Sequence, residues 1–372
     1  MNIGPLVFDT PVVLAPMAGV TNAPFRRLCR RHGAGLYVSE MITARAYVEG
    51  NAKTMRLAHF DEDEPIRSIQ LYGIDAHHVG EAVRKLIDSS HVDHIDLNFG
   101  CPAPKVTRNG GGSALPVRHR LLRDIVRAAV QATGSSCVPV TAKFRMGIDD
   151  GHLNFLRTGR ICEDEGCSAV ALHARTTEQL YSGDARWDAI GELKASITSI
   201  PVLGNGDIWE AADAVAMMRR TGCDGVVIGR GCLGRPWLFR DLAAALGGSP
   251  IPEAPTFGEV VDMMLEHLDL LIDWAGPWIG VREFRKHTGW YLKGYATGGD
   301  VRRELNQLES REQLADTLGR FDRSSTMSSE GRRAKRGHVG GPRAVSLPDR
   351  WFDNEDAIDA LAADAESISS GG

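Results

Sequence analysis

Cys101 stands where an apolar run (Ile95, Leu97, Phe99) breaks off into Gly100-Cys101-Pro102. This pattern displays a thiol at the C-terminal end of a strand. A free cysteine, with a pKa of about 8.5, is mostly protonated at neutral pH, so it can donate a proton or, as thiolate, attack. Many cysteines are only small buried hydrophobes. Here Asn98, the proline-flanked turn and Gly110-Gly111-Gly112 favour chemistry, because a glycine run lets backbone approach a ligand without Cβ clashes.

Polar residues interrupt other apolar runs in the same way: Gln70, Lys143, His173, Asn205 and Arg230, with Pro16-Met17-Ala18 at the end of another. A lysine aimed into an apolar setting is seldom accidental, since leaving its charge unpaired is costly. Lys143 suits the negative N1–C2=O edge of a reduced flavin. Gln70 offers a donor and an acceptor to the ring's polar edge, and Pro16-Met17-Ala18 offer backbone groups and apolar surface. Asn205-Gly206-Asp207 and Gly229-Arg230 combine glycine N–H groups with a guanidinium, a combination suited to a phosphate dianion. Gly229 to Gly234 also fits G-x-G-x-x-G, but it closes a βα series and a Pro-rich linker occupies the place of a dinucleotide fingerprint's acidic residue. His173 reads either as a satisfied core histidine or as a ligand contact; its place two residues before Arg175 favours contact.

Eight short, β-branched runs alternating with amphipathic helical stretches over the first 250 residues or so predict the elements that position these groups. The fold class expected is α/β, a (β/α)8 TIM barrel, followed by a small all-α domain. Each polar interruption falls at a strand's end, and in a barrel those ends converge on one face. A doubly wound sheet is the competing arrangement and requires a reversal of strand order.

Composition sets limits. A formal charge of −5 excludes a uniformly basic nucleic-acid coat but permits local basic patches. Seven scattered cysteines without a CxxC pair, and twelve histidines without zinc spacing, favour reduced thiols and no metal site. Neither a secretory leader nor a bilayer-length apolar run is apparent, so a cytoplasmic protein without membrane contact is expected.

A Ser/Pro-rich stretch around 249–255 ends the β signal. The expected domains are a barrel over 1–249, a helical domain over 250–322, and a disordered tail over 323–372 that closes with an acidic segment, 353–366. Within the helical domain Arg282, Arg285, Lys286 and Lys293 recur at helical spacing, with Trp290, Tyr291 and Tyr295 nearby. Such a run is usually a solvated face; with aromatics beside it, it also suits an RNA backbone and its splayed bases. In the tail, Arg332, Arg333, Lys335 and Arg336 could touch phosphates, though a solvated tail is the simpler reading.

Ala15-Pro16-Met17-Ala18-Gly19, Gln70-Leu71-Tyr72-Gly73, Leu97-Asn98-Phe99-Gly100-Cys101-Pro102, Lys143-Phe144-Arg145-Met146-Gly147, His173-Ala174-Arg175-Thr176, Gly204-Asn205-Gly206-Asp207-Ile208 and Gly229-Arg230-Gly231 resemble, in order, the motifs of the tRNA-dihydrouridine synthases, the bacterial DusB-type branch above all. The resemblance covers about residues 5 to 320. It implies a barrel holding FMN and a helical tRNA-binding domain. NADPH or NADH would reduce the flavin, hydride would pass to C6 of a uracil in tRNA, and Cys101 would deliver the proton to C5. It also implies flavin contacts at Pro16, Met17, Ala18, Gln70, Lys143, His173, Asn205, Gly206, Asp207, Gly229 and Arg230. Asn98 would hold the base, with Lys105, Arg145 and Arg175 as further substrate contacts and Arg282, Arg285 and Lys286 on the tRNA. The expected protein is a monomer with no DNA or metal partner. The alternatives are an FMN barrel acting on a free pyrimidine or small enone, and a non-catalytic RNA-binding protein.

Overall fold

The computed structural model describes residues 1–358 apart from Ala34 and Val339. Eight parallel strands close into a barrel: β1 (Val12–Leu14), β2 (Leu36–Thr43), β3 (Ser68–Tyr72), β4 (His94–Phe99), β5 (Val140–Arg145), β6 (Ala169–His173), β7 (Val202–Asn205) and β8 (Gly225–Ile228). The ring is sealed by Val226 of β8 beside Val12 of β1. Strand order follows sequence order, so the doubly wound alternative is excluded. An N-terminal hairpin, Asn2–Ile3 with Leu6–Val7, sends Ile3 into the lumen with Phe8.

Register sets which side chains share a layer. Gln70 lies beside Asp96 and Asp96 beside Thr141; one layer up, Asn98 lies beside Lys143 and Lys143 beside Ala171. The interior is divided. Val13, Ala15, Leu36, Val38, Ala169, Ala171, Leu203 and Val227 form an apolar wall, whereas β3, β4 and β5 contribute buried Ser68, Gln70, His94, Asp96, Asn98 and Thr141.

The outer helices are α1 (Ala23–His32), α2 (Ala76–Ser90), α3 (His119–Ala132), α4 (Phe155–Asp164), α5 (Trp187–Ser196), α6 (Ala211–Thr221) and α7 (Leu238–Leu246). Asn22 caps α1 by accepting the Phe25 N–H at 3.1 Å, with Pro24 in the first turn. Beyond the barrel come α8 (Phe257–Ala275), α9 (Pro277–Tyr291), α10 (Gly298–Leu305) and α11 (Arg311–Leu318). A Thr256/Glu259 capping box opens α8. These helices share a second apolar core built on Phe257, Met264, Leu268, Phe284 and Leu314. The barrel meets them through rings, with Phe25 of α1 5.7 Å from His267 and 5.9 Å from His287.

The expectation of a disordered tail from 323 is corrected as far as residue 358. Met327 lies in the helical core, a short helix spans Ser329–Arg333, and the guanidinium of Arg336 is buried on the carbonyls of Ala334, Lys293 and Gly331. Polar composition misled here because these arginines are satisfied by backbone oxygens rather than by water. Much of the acidic stretch expected over 353–366 lies outside the described residues.

Candidate active site at the barrel mouth

β4 presents the thiol. Asn98 Oδ1 accepts the backbone N–H of Gly100 at 3.1 Å and of Cys101 at 2.9 Å, which bends the chain sharply out of the strand. Its amide nitrogen donates to Gln70 Oε1 at 2.7 Å and to Met41 Sδ at 3.3 Å. The hydrogen-bonding capacity of Asn98 is thereby used. Asn98, expected to hold the substrate base, holds the thiol turn in this structure. The role expected of the glycine run is corrected. A Cβ at Gly111 would strike the Tyr72 ring, and one at Gly112 (φ +53°) would sit 2.6 Å from the Cys101 carbonyl. These glycines make room for the chain's own packing beneath Cys101, whose carbonyl accepts both the N–H and the hydroxyl of Ser113.

Gln70 is 2 % exposed and lies within the lumen, outside the ligand cleft expected for it. Its Nε2 donates to Asp96 Oδ2 at 2.7 Å, while Thr141 donates to Asp96 Oδ1 at 2.6 Å. Thr141 must therefore accept from His94 Nε2 at 3.0 Å, so His94 Nδ1 accepts the Ser68 hydroxyl at 2.7 Å. Burial lowers the His94 pKa to about 3 and keeps the ring neutral, in agreement with that tautomer. Burial also raises Asp96, against the pull of Thr141, Gln70 and Lys143. The result is an unbroken buried chain of hydrogen bonds from Ser68 to the Cys101 turn.

Burial raises the Cys101 thiol above its ordinary value, and this outweighs the opposing charges of Arg145, Lys105 and Lys143. The thiol is protonated at neutral pH. Lys143 faces both the lumen cavity and the mouth. Desolvation, aided by Arg145, lowers its pKa to about 8, so it is mostly cationic at pH 7. No hydrogen bond or ion pair holds its ammonium group among the described residues.

The β6, β7, β8 and β1 ends surround a cleft of about 520 Å³, open solvent included. Pro16, Met17, Lys143, His173, Asn205, Gly206, Asp207, Gly229 and Arg230 line it, as the sequence led us to expect. Ala18 is exposed on the β1 loop outside it. Tyr181 and Trp209 also line the cleft and were missed. Trp209 stands two residues after the Asn205-Gly206-Asp207 motif and could have been suspected; Tyr181, in a long irregular loop, left no periodic signal. The Arg230 guanidinium is 4.3 Å from the Tyr181 ring centre and 5.1 Å from that of Trp209, and lies 3.6 Å from Asp207. Burial and Arg175 lower its pKa to about 10, leaving it charged at neutral pH. A Cβ on Gly206 (φ +133°) would strike Ala185 Cβ at 2.6 Å, so the close packing there needs glycine, with His173 and Arg175 Nη1 nearby. That buried nitrogen has no partner among the described residues. An orphaned guanidinium N–H beside Gly206, with the second guanidinium of Arg230 in the cleft, fits a phosphate dianion. His173 is pushed far down by burial and by Arg145, Lys143, Arg175 and Arg230, and is neutral.

Arg145 and Arg175, expected as substrate contacts, brace the loops around the mouth. Arg145 Nε donates to the Gly100 carbonyl at 3.0 Å and Nη1 to the carbonyls of Thr176 and Leu180, both at 2.9 Å, tying the β6 loop to the thiol turn. Arg175 donates to the Ser182 and Gly183 carbonyls and pairs with both Asp207 oxygens at 2.7–2.8 Å. Lys105 lies half-buried on the short helix Pro104–Thr107 just after Cys101.

On α9, Lys286 Nζ pairs with Glu283 and lies 3.5 Å from a Cβ built on Gly19, at the rim of the mouth. Arg285 Nε is bonded to the Leu308 carbonyl, and Arg282 is exposed. The stacking aromatics expected here are corrected. Tyr291 and Tyr295 are core residues, and Trp290 packs on the barrel core. The exposed ring is Trp278, 71 % accessible, with the Arg282 guanidinium 4.7 Å from its centre. A Trp/Arg pair at i, i+4 was available as a signal. Among the described residues no cluster of His, Cys, Asp and Glu could hold a metal ion, and no helix is long and apolar enough to cross a membrane.

A closed parallel barrel with a charged cleft at its C-terminal face defines a TIM-barrel enzyme site. The family model for dihydrouridine synthase matches residues 13–326, and the chain belongs to that family. A probable tRNA-dihydrouridine synthase of Mycobacterium tuberculosis is 50 % identical, the match covering 100 % of this chain and 97 % of that protein. tRNA-dihydrouridine synthase B of Xanthomonas axonopodis is 42 % identical over 87 % of this chain and 96 % of its own length. Among solved structures, a 2-naphthoyl-CoA reductase has a TM-score of 0.53 at 11 % identity, covering 86 % of this chain and 69 % of that one, a likeness of fold alone.

Proposed function

We propose that the protein reduces the C5–C6 double bond of uridines in tRNA. The observation that carries this reading is the protonated Cys101 thiol on its Asn98-locked turn, at the mouth of a barrel whose cleft suits a phosphate-bearing cofactor. That cofactor is flavin mononucleotide: Arg175, Arg230 and the Gly206 and Gly229 backbone would hold its phosphate, and Lys143 the electron-rich edge of its ring. When bound and reduced by NADPH or NADH, it supplies hydride to C6 of the uracil.

The remaining work falls to the protein. Cys101 gives its proton to C5, and burial keeps that proton in place until it is needed. Arg145 fixes the β6 loop against the turn, so the acid and the cleft keep one geometry. A uracil stacked in folded RNA must be flipped out to reach the mouth. Lys286 at the rim, with Arg282 and Trp278 farther along α9, would steady the RNA by charge and stacking. Seven free thiols suit the cytoplasm, where tRNA resides.

The test is anaerobic incubation of the flavin-loaded protein with NADPH and unmodified tRNA, counting dihydrouridine by mass spectrometry. Formation in tRNA, with free uridine and uracil left unreacted, is expected. Turnover of the free base at the same rate would overturn the assignment of tRNA as substrate.

A further inference from the structure

Residues 333–338 and 340–352 run as a belt around the rim of the mouth. It leaves the helical unit at Arg333, which pairs with Glu210 at 2.6 Å and Asp213 at 3.1 Å beyond the β7 end. The carbonyl of His338 then accepts Arg230 Nη1 at 2.9 Å. Farther along, the Arg343 N–H donates to the Glu178 carbonyl of the β6 loop at 2.9 Å. The belt ends in an anchor: Trp351, 4 % exposed, packs on Val117 and Ile148 and donates its indole N–H to the Ala114 carbonyl at 2.9 Å. Arg118 stacks over that ring at 4.4 Å.

Both ends of this path touch the site. Ala114 belongs to the 3-10 segment Gly112–Val117, whose Ser113 supports the Cys101 carbonyl. Arg230 has two rings and a 3.6 Å ion pair around it, and its short hydrogen bond is the one to His338. A guanidinium presents five N–H donors in one plane. Pinning one of them sets the direction of those left for an anion.

We propose that this belt, through the His338 carbonyl and the Trp351 anchor, positions Arg230 toward the phosphate of the cofactor and retains the cofactor in its cleft. The inference rests on the flavin reading above. His338 is a positioning residue that acts through its backbone, so its side chain is dispensable.

The experiment uses flavin-stripped protein in three forms: the full chain, a chain ending at Arg333, and full-length Trp351→Ala. Dissociation constants for FMN and riboflavin are measured by flavin fluorescence, with circular dichroism to confirm folding. Riboflavin lacks the phosphate, so it reports general damage to the cleft. Loss of the belt is expected to weaken FMN about tenfold or more, the size of a hydrogen bond involving a charged group. Trp351→Ala should weaken it by less, and riboflavin binding should stay within about twofold of the full chain in both. FMN affinity unchanged in folded variants would overturn the proposal, as would equal weakening of both flavins. If the shortened chain does not fold, Trp351→Ala decides on the same criteria. A full chain that binds neither flavin would overturn the cofactor reading itself, and the belt's role with it; a full chain that binds FMN while belt loss changes nothing overturns the belt alone.

Discussion

The two walls of the barrel lumen solve opposite problems. From β6 round to β2 the interior is Val, Leu and Ala, sealed below by Ile3 and Phe8, and its contribution is burial of apolar area. From β3 to β5 it is polar, yet its side chains are paired in series from Ser68 to Asn98. A buried polar group without a partner costs about 1–3 kcal/mol, so such a wall persists only as a complete network. The lesson is that, below the mouth, apolar burial and the hydrogen-bonded support of the acid fall to different strands, while the ends of β6, β7, β8 and β1 line the cleft above. The apolar wall can be trimmed at the expense of folding alone, whereas a cut in the polar wall reaches the acid.

The sharpest way to break this comparison is Cys101→Ala. With the general acid gone, dihydrouridine formation should fall about 10²–10⁴-fold, while flavin content and thermal stability stay near the parent's; single-turnover assay with tRNA reads the first and absorbance the second. Undiminished reduction would remove Cys101 from the mechanism.

On the apolar side, Leu203→Ala should destabilise the fold by about 2–5 kcal/mol by leaving a cavity. Its rate per folded molecule should be near the parent's. Urea titration and assay at low temperature separate the two, and a large rate loss in folded protein would erase the division between walls.

Asn98→Ala joins both effects. It frees two backbone N–H groups of the thiol turn and strips Gln70 of a donor, so a stability loss of about 1–3 kcal/mol should accompany a slowed reduction. Stability lost with the rate intact would mean that the turn needs no lock.

Lys143 makes a pH prediction. Its folded pKa, about 8, lies below its ordinary value near 10.5. Between those values the unfolded chain binds the extra proton, so flavin-free protein should gain stability as pH rises through that window. Lys143→Met should lack this gain; parallel pH–stability curves for the two proteins would contradict the desolvated setting. The smallest effect belongs to the rim. Trp278→Ala should weaken tRNA binding by about 1–3 kcal/mol if a base stacks there and leave flavin affinity alone, as filter binding would show.

Much of this was legible in one dimension. Eight β-branched runs alternating with amphipathic helical stretches pointed to a barrel, and strand order then excluded the doubly wound sheet. The polar residues interrupting apolar runs marked the mouth, since strand ends of a barrel face one way, and nine of the expected cleft residues meet there.

What chain order could not convey is which partner consumes each polar group. Asn98 and Arg145 look like ligand contacts in sequence, yet backbone N–H groups and carbonyls already engage them, whereas Arg175, paired with Asp207, keeps one nitrogen unpartnered. Tyr291 and Tyr295 look like stacking platforms and are core, whereas Trp278 is exposed. The stretch from Arg323 reads as disordered because its arginines promise solvation, but tertiary packing supplies backbone oxygens in place of water. Residue types and spacing determined the fold and the chemistry on offer; only the folded chain decided which donors were left free to perform it, because a hydrogen bond's partner depends on distance in space and not on separation in sequence.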